Sequence, residues 1–338
     1  MNRKIIKSIN FSIFLAIGIL LLYLSFKGVD FDHLVDDLKS ANYFWVFISL
    51  ICAIVGYVSR AIRWRLLIEP LNYKPPIKNV FFALMFGYFA NFAFPRIGEI
   101  TRCGALTKSD KIPMDSLIGT VIIERAIDLI VLIILLFVVF IAKIDVFGGF
   151  IKDTVFIPLF KKIVNTVDFP IFYWLIVIAI LVLAFGLLYY HRKKIKRVKI
   201  IIKIRKILRG VISGVKTVTK MKSRTAFLFH TIVIWVSYFF MTYVVIFAIP
   251  ATSNLTPIDG LFLLVIGGLG MAAPVQGGIG AFHWIVSSAL SLYGISKAEG
   301  LVFATIQHES QAILAILLGS FSALMLFLIS RRKSKNNI

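Results

Sequence analysis

Six stretches of this chain, near residues 9–26, 43–59, 117–141, 171–190, 226–249 and 301–330, stay apolar for long enough to cross hydrocarbon about 30 Å thick. Backbone N–H and C=O groups placed in lipid have no water to bond, so a spanning segment is a helix or part of a closed barrel. Barrel strands read as alternating segments of about ten residues, whereas these runs are unbroken. Composition agrees: 59% of the 338 residues are hydrophobic and 16% charged, against about a quarter charged in an average soluble chain. The expected fold class is an all-α polytopic membrane protein, not a soluble enzyme. The run from Phe11 to Phe26 has no small-x-small cleavage site after it, so it reads as an uncleaved first span rather than a signal peptide.

Two further apolar regions, 78–107 and 258–295, are interrupted by Pro and Gly and read as broken re-entrant hairpins. If both return to the side they left, segments 1–8, 60–78, 95–116, 191–224 and 331–338 share one face and carry 30 of the 38 Lys and Arg. The other face carries 7, together with nine of the 16 acidic residues. Because basic loops stay cytoplasmic, both termini are expected in the cytoplasm and the protein in a bacterial inner (plasma) membrane. Hairpins that crossed would instead give eight or more hydrophobic helices and part Lys78 from Lys111. A net charge of +22 raises the question of nucleic acid, but fourteen basic residues crowd into 192–224, between two spans. There Ile204, Leu208, Val211, Val215 and Val218 recur at helical steps, which fits an amphipathic helix on anionic membrane lipids and no nucleic-acid partner.

The order span, span, broken hairpin, span occurs twice from opposite starting sides, the layout of an inverted repeat with halves 9–141 and 171–330 inside a single transmembrane domain, 1–338. Pro95 and Pro274 occupy equivalent places in the hairpins, and each hairpin is followed by a span with an acid, Glu124 or Glu309. From opposite faces the two acids would converge near mid-membrane.

Ionised groups near the centre of a spanning helix cost about 2.5–3.5 kcal/mol each, so Glu124, Arg125 and Asp128 need compensation inside the bundle. Arg125 is three residues from Asp128 and the expected partner for it; Arg96 and Arg102 are the expected partners of Glu124. Arg96, Glu99 and Arg102 fall at three-residue steps, and a helix starting near Pro95 would favour a phosphate or carboxylate at its N-terminus. The bland alternative is an ion-pair cluster that only locks the hairpin to the span. Gln276, Gly277, Gly278 and Gly280 follow Pro274 and suit either an amide nest for an anion or close helix packing. His308 and Glu309 are polar residues of the last span; no metal-spaced pair, P-loop or nucleophile elbow occurs, so no metal, cofactor or catalytic residue is expected. Arg60, Arg63 and Arg65 end the second span and read as snorkelling anchors.

The runs PRIGEITR (95–102), IIERAIDLI (122–130) and PVQGGIGAF (274–282) resemble those of the lysylphosphatidylglycerol synthetase transmembrane-region family of flippase-like membrane proteins, over about residues 10–330. Arg96, Gly98, Glu99 and Arg102, then Glu124, Arg125 and Asp128, then the Gly277 to Gly280 turn carry the resemblance most specifically. It implies the handling of a lipid or lipid-linked precursor such as a polyprenyl phosphate. The residues themselves read as a substrate site of these positions with His308 and Glu309, Arg96 and Arg102 meeting a phosphate and Glu124 or Glu309 meeting a cation or proton. In the family's aminoacyl-lipid synthases a separate soluble domain transfers the amino acid; this chain is expected to hold the membrane region alone, without that activity. The alternatives are a non-catalytic partner of an envelope glycosyltransferase and a membrane-embedded enzyme acting on a lipid phosphate.

Overall fold

The computed structural model describes residues 3–29, 31–143, 218 and 221–335. They form ten α-helices: α1 (Arg3–Phe26), α2 (Phe31–Ser40), α3 (Tyr43–Ile68), α4 (Ile77–Ala93), α5 (Gly98–Asp110), α6 (Met114–Ala142), α7 (Arg224–Tyr243), α8 (Pro257–Met271), α9 (Ala281–Ser291) and α10 (Lys297–Lys335). Among the described residues four stretches are long and apolar enough to span a membrane, Tyr43–Leu71, Met114–Ala142, Arg224–Ala248 and Lys297–Arg331. The 24-residue α1 carries a shorter apolar stretch, Leu15–Phe26. The protein is thus an all-α, multi-pass membrane protein. The expected span at 171–190 and most of the basic amphipathic segment 192–224 lie outside the described residues.

Local chemistry sets the helix ends. Asn42 caps α3 by accepting from Phe44 N at 3.1 Å, and Thr256 with Asp259 forms a capping box around Pro257 at the start of α8. Each satisfies N–H groups that the first turn leaves orphaned. Pro76 and Pro113 stand just before α4 and α6, where a residue without an N–H fits a helix start. One expected boundary moves: the second span does not stop at residue 59 but continues as helix to Ile68, carrying Arg60 and Arg63 with it.

Both broken regions are hairpins that return to the end they left. Asn79 Nδ2 donates to both carboxylate oxygens of Asp110 at 3.0 Å, which fastens the start of α4 to the end of α5. Near the turn, at the first residue of α5, the helices touch through glycine: a Cβ on Gly98 would stand 2.2 Å from Gly87 O. In the second hairpin the Phe262 and Tyr293 rings, 5.8 Å apart, join the start of α8 to the end of α9. Gly267 and Gly270 let Phe282 of α9 lie against α8.

The hairpins open at opposite ends of the bundle. Lys143, at the far end of α6 from Lys111, pairs with Asp259 at 2.5 Å, so the second hairpin opens at the other end of that helix from the first, where Lys297 Nζ also donates to Leu24 O at 3.0 Å. Their tips meet. Arg96 Nη2 donates to Ala272 O, and Phe92 lies where a Cβ on Gly277 would be, 2.6 Å from its Cδ1. Two buried clusters hold the ends: Ala61, Trp64, Leu84, Leu106 and Leu117 join α3 to the first hairpin, and Ile246, Phe262, Leu290 and Phe303 join α8, α9 and α10. Phe47, Ile133, Phe137, Ile232 and Leu317 stay exposed, as lipid-facing side chains do.

Candidate functional site

Beside the first hairpin, α3, α5 and α6 bring five charges together. Glu124 is fully buried and accepts from Arg60 Nε at 2.9 Å and from Arg102 Nη2 at 2.9 Å. Arg63, also fully buried, pairs with Asp128 at 2.8 Å and lies 3.5 Å from Glu124. Arg60 reaches Asp128 at 3.4 Å and donates to the Tyr238 hydroxyl of α7 at 2.7 Å. Arg102 also lies over the Trp64 ring, 4.4 Å from its centroid, and Trp64 Nε1 donates to Thr120 at 2.9 Å. Three guanidinium groups face two carboxylates, leaving one surplus positive charge.

Several expected pairings change. Arg60 and Arg63 are not snorkelling anchors: the helix continues, and their three-residue spacing turns both inward onto α6. Arg65 alone of the three is partly exposed, paired with Glu69 at 3.5 Å. Arg125 does not pair with Asp128. One residue of helix rotates it away from Glu124, and it meets Glu99 of α5 at 3.4 Å instead. Of the two partners expected for Glu124, Arg102 is one; Arg96 is exposed in the left-handed region at φ 60° and bonds the other hairpin. Arg60 and Arg63 are what sequence reasoning missed, although two carboxylates one turn apart on α6 required cations from another helix.

A small pocket lies beside this network, lined by Leu84, Gly87, Tyr88, Asn91, Gly98, Glu99, Arg102 and Arg125. Asn91 Oδ1 accepts from Gly98 N at 2.8 Å, holding the first turn of α5 against α4. Arg102 Nε and Nη1 are buried without a hydrogen-bond partner, an arrangement that leaves donors of a fork-shaped cation to be satisfied.

Glu309 does not join Glu124. It forms a second cluster with His308 and with His283 of α9, whose ligand-type atoms all lie within 4.8 Å of one another. His308 Nδ1 is 2.9 Å from Glu309 Oε1, and His308 Nε2 is 2.9 Å from Gly277 O. His283 Nε2 lies 3.5 Å from the same Glu309 oxygen. The glycine turn beside it is buried: Gln276, Gly277 and Gly278 are all enclosed. Gly277, Gly278 and Gly280 have φ of 59°, 81° and 80°, which glycine adopts without strain. A Cβ on Gly280 would meet Gly18 O at 2.4 Å and Leu22 N at 2.7 Å, so the turn is a seat for α1. His283 was also missed; its only signal was its place just after that turn.

The lysylphosphatidylglycerol synthase transmembrane-region family matches residues 11–319. A UPF0104 membrane protein of Methanocaldococcus jannaschii is 31% identical over 153 residues, 44% of this chain and 44% of that protein. The aligned part thus spans under half the length of that relative. No solved structure matches the chain.

Proposed function

The chain belongs to the lysylphosphatidylglycerol synthase transmembrane-region family, and from that premise we propose that it moves an anionic, polar-headed phospholipid or lipid-linked precursor between membrane leaflets. The observation that carries this reading is the surplus positive charge at Arg60, Arg63 and Arg102, with Arg102 Nε and Nη1 unpartnered beside a polar pocket. A phosphate reaching Arg102 would accept from one of these open donors in a charge-assisted hydrogen bond and neutralise the surplus. A network built only to lock helices gains from balanced charge, because an uncompensated buried charge is costly. Arg96, Glu99 and Arg125 at the hairpin's rim are the groups a headgroup would meet on the way in. The protein acts as a transporter rather than an enzyme in this reading. It sits in the plasma membrane with the Lys78 and Lys111 end cytoplasmic, in line with the distribution of Lys and Arg.

The test is leaflet exchange of labelled phosphatidylglycerol, its lysyl ester and a polyprenyl phosphate in proteoliposomes, comparing the natural protein with Arg102→Gln and Arg102→Lys. Selective exchange that falls in folded Arg102→Gln and recovers in part in Arg102→Lys is the expected result. Exchange of none of the three lipids, or equal exchange in all proteins, would sink the reading and favour a helix-locking role.

A further inference from the structure

The second cluster fixes a proton count. A carbonyl only accepts, so the ring nitrogen 2.9 Å from Gly277 O, His308 Nε2, carries a hydrogen. A neutral imidazole so oriented has its lone pair at Nδ1, and Nδ1 lies 2.9 Å from Glu309 Oε1. Two acceptors at that separation repel unless a proton lies between them, either on the ring as imidazolium or on the carboxyl as a neutral acid. In both forms the pair holds one proton more than a neutral histidine beside a carboxylate.

The surroundings isolate that proton and give it a route. His283 of α9, 2% exposed, offers Nε2 at 3.5 Å from the same oxygen and has no partner at Nδ1, so a second base stands next to the first. The charges that act on His283 and Glu309 are one another's and that of His308. Of the elements around them, α4 and α8 bring the uncharged Phe92 and Met271 to the turn. Arg96 is engaged on Ala272 O and Arg102 of α5 on Glu124. The Glu309 side chain is 42% exposed while those of His283 and His308 are 2% and 4%. Of the three side chains Glu309 alone is exposed, which makes it the point of proton entry and exit.

We infer that His308 and Glu309 form a proton-binding latch on the second hairpin. With the proton bound, α10 is tied to the glycine turn through His308 Nε2–H and Gly277 O. When the proton leaves through Glu309 to water, the Nδ1 lone pair and the carboxylate repel, the ring turns, and the bond to Gly277 breaks. That turn holds α1 at Gly280 and the first hairpin at Phe92, so the proton state is felt where the two hairpins meet. Coupling of this latch to lipid movement rests on the transport reading above; the latch itself does not.

The experiment is hydrogen–deuterium exchange of segment 272–282 in nanodiscs at about pH 5 and about pH 8, either side of the histidine range, corrected for the intrinsic pH dependence of exchange. The natural protein should exchange about tenfold faster in this segment at the higher pH, the change that about 1.4 kcal/mol of latch strength produces. His308→Gln keeps an amide donor for Gly277 O but has nothing to titrate, and its exchange should be independent of pH. Should that variant fail to assemble, Glu309→Gln removes the acceptor of the proton and carries the same expectation. No pH effect in the natural protein, or the same effect in both variants, overturns the latch. A latch that passes this test in a protein that exchanges no lipid would stand alone, and the transport reading would fall by itself.

Discussion

Replacing Glu124 by Gln tests the charge network most directly. Glu124 is fully buried and holds Arg60 and Arg102 at 2.8–2.9 Å and Arg63 at 3.5 Å. The glutamine keeps the shape and one acceptor oxygen but leaves three guanidinium groups facing Asp128 alone, so the surplus rises from one positive charge to two. Breaking a buried pair in this way costs about 3–5 kcal/mol, because the stranded charge is neither paired nor hydrated. The pairing makes a second, sharper claim: adding Arg102→Gln removes one of the stranded charges, so the double variant should be more stable than the sum of the two singles by roughly 1–3 kcal/mol. Unfolding by dodecyl sulfate titration in mixed micelles, followed by tryptophan fluorescence, reports both quantities. A Glu124→Gln protein within about 1 kcal/mol of the natural one, or strict additivity in the double variant, would show that these charges are not held together in the folded state.

Gly280→Ala puts a methyl group 2.4 Å from Gly18 O at a φ of 80°, and should cost about 2 kcal/mol or more in the same titration; Gly104→Ala, with open space around it, should be neutral or stabilising by about 0.5–1 kcal/mol. Asn79→Ala cuts both bonds to Asp110 and should loosen the open end of the first hairpin, lowering stability by about 1.5–3 kcal/mol and raising protease cleavage near residue 111. Lys111→Cys and Lys78→Cys should label with a membrane-impermeant maleimide from the same side of the membrane, the cytoplasmic one; labelling from opposite sides would refute a returning hairpin.

Four of the spans were legible because lipid imposes a length and a polarity that hydropathy records directly. The turns of both hairpins were legible too, since Pro95 and Pro274 interrupt the helical hydrogen bonding and the glycines after Pro274 favour a turn. The end of α3 was not. Arg60, Arg63 and Arg65 lower the local hydropathy and imitate a membrane boundary, yet arginine is a good helix former and two of the three are neutralised by carboxylates about sixty residues away. No local pattern records such a pairing. The same blindness misplaced Arg125: its three-residue step to Asp128 satisfied a rule for isolated helices, while the packing of α5 against α6 offered Glu99. In the second half, the sequence placed Glu309 in a span but could not show that the turn before α9 would fold back on His308.

The position of Arg60 and Arg63 on α3 bears on how the chain enters its membrane during synthesis. Alone in hydrocarbon, α6 would carry Glu124, Arg125 and Asp128, each at a cost of about 2.5–3.5 kcal/mol, enough to oppose its entry. Its counter-charges, however, emerge first: α3 precedes α6 in the chain, and its two buried arginines are the ones that Glu124 and Asp128 bind. The earlier helix therefore serves as a docking post for the later one, and the order of synthesis delivers the two carboxylates of α6 to a membrane that already holds their opposites.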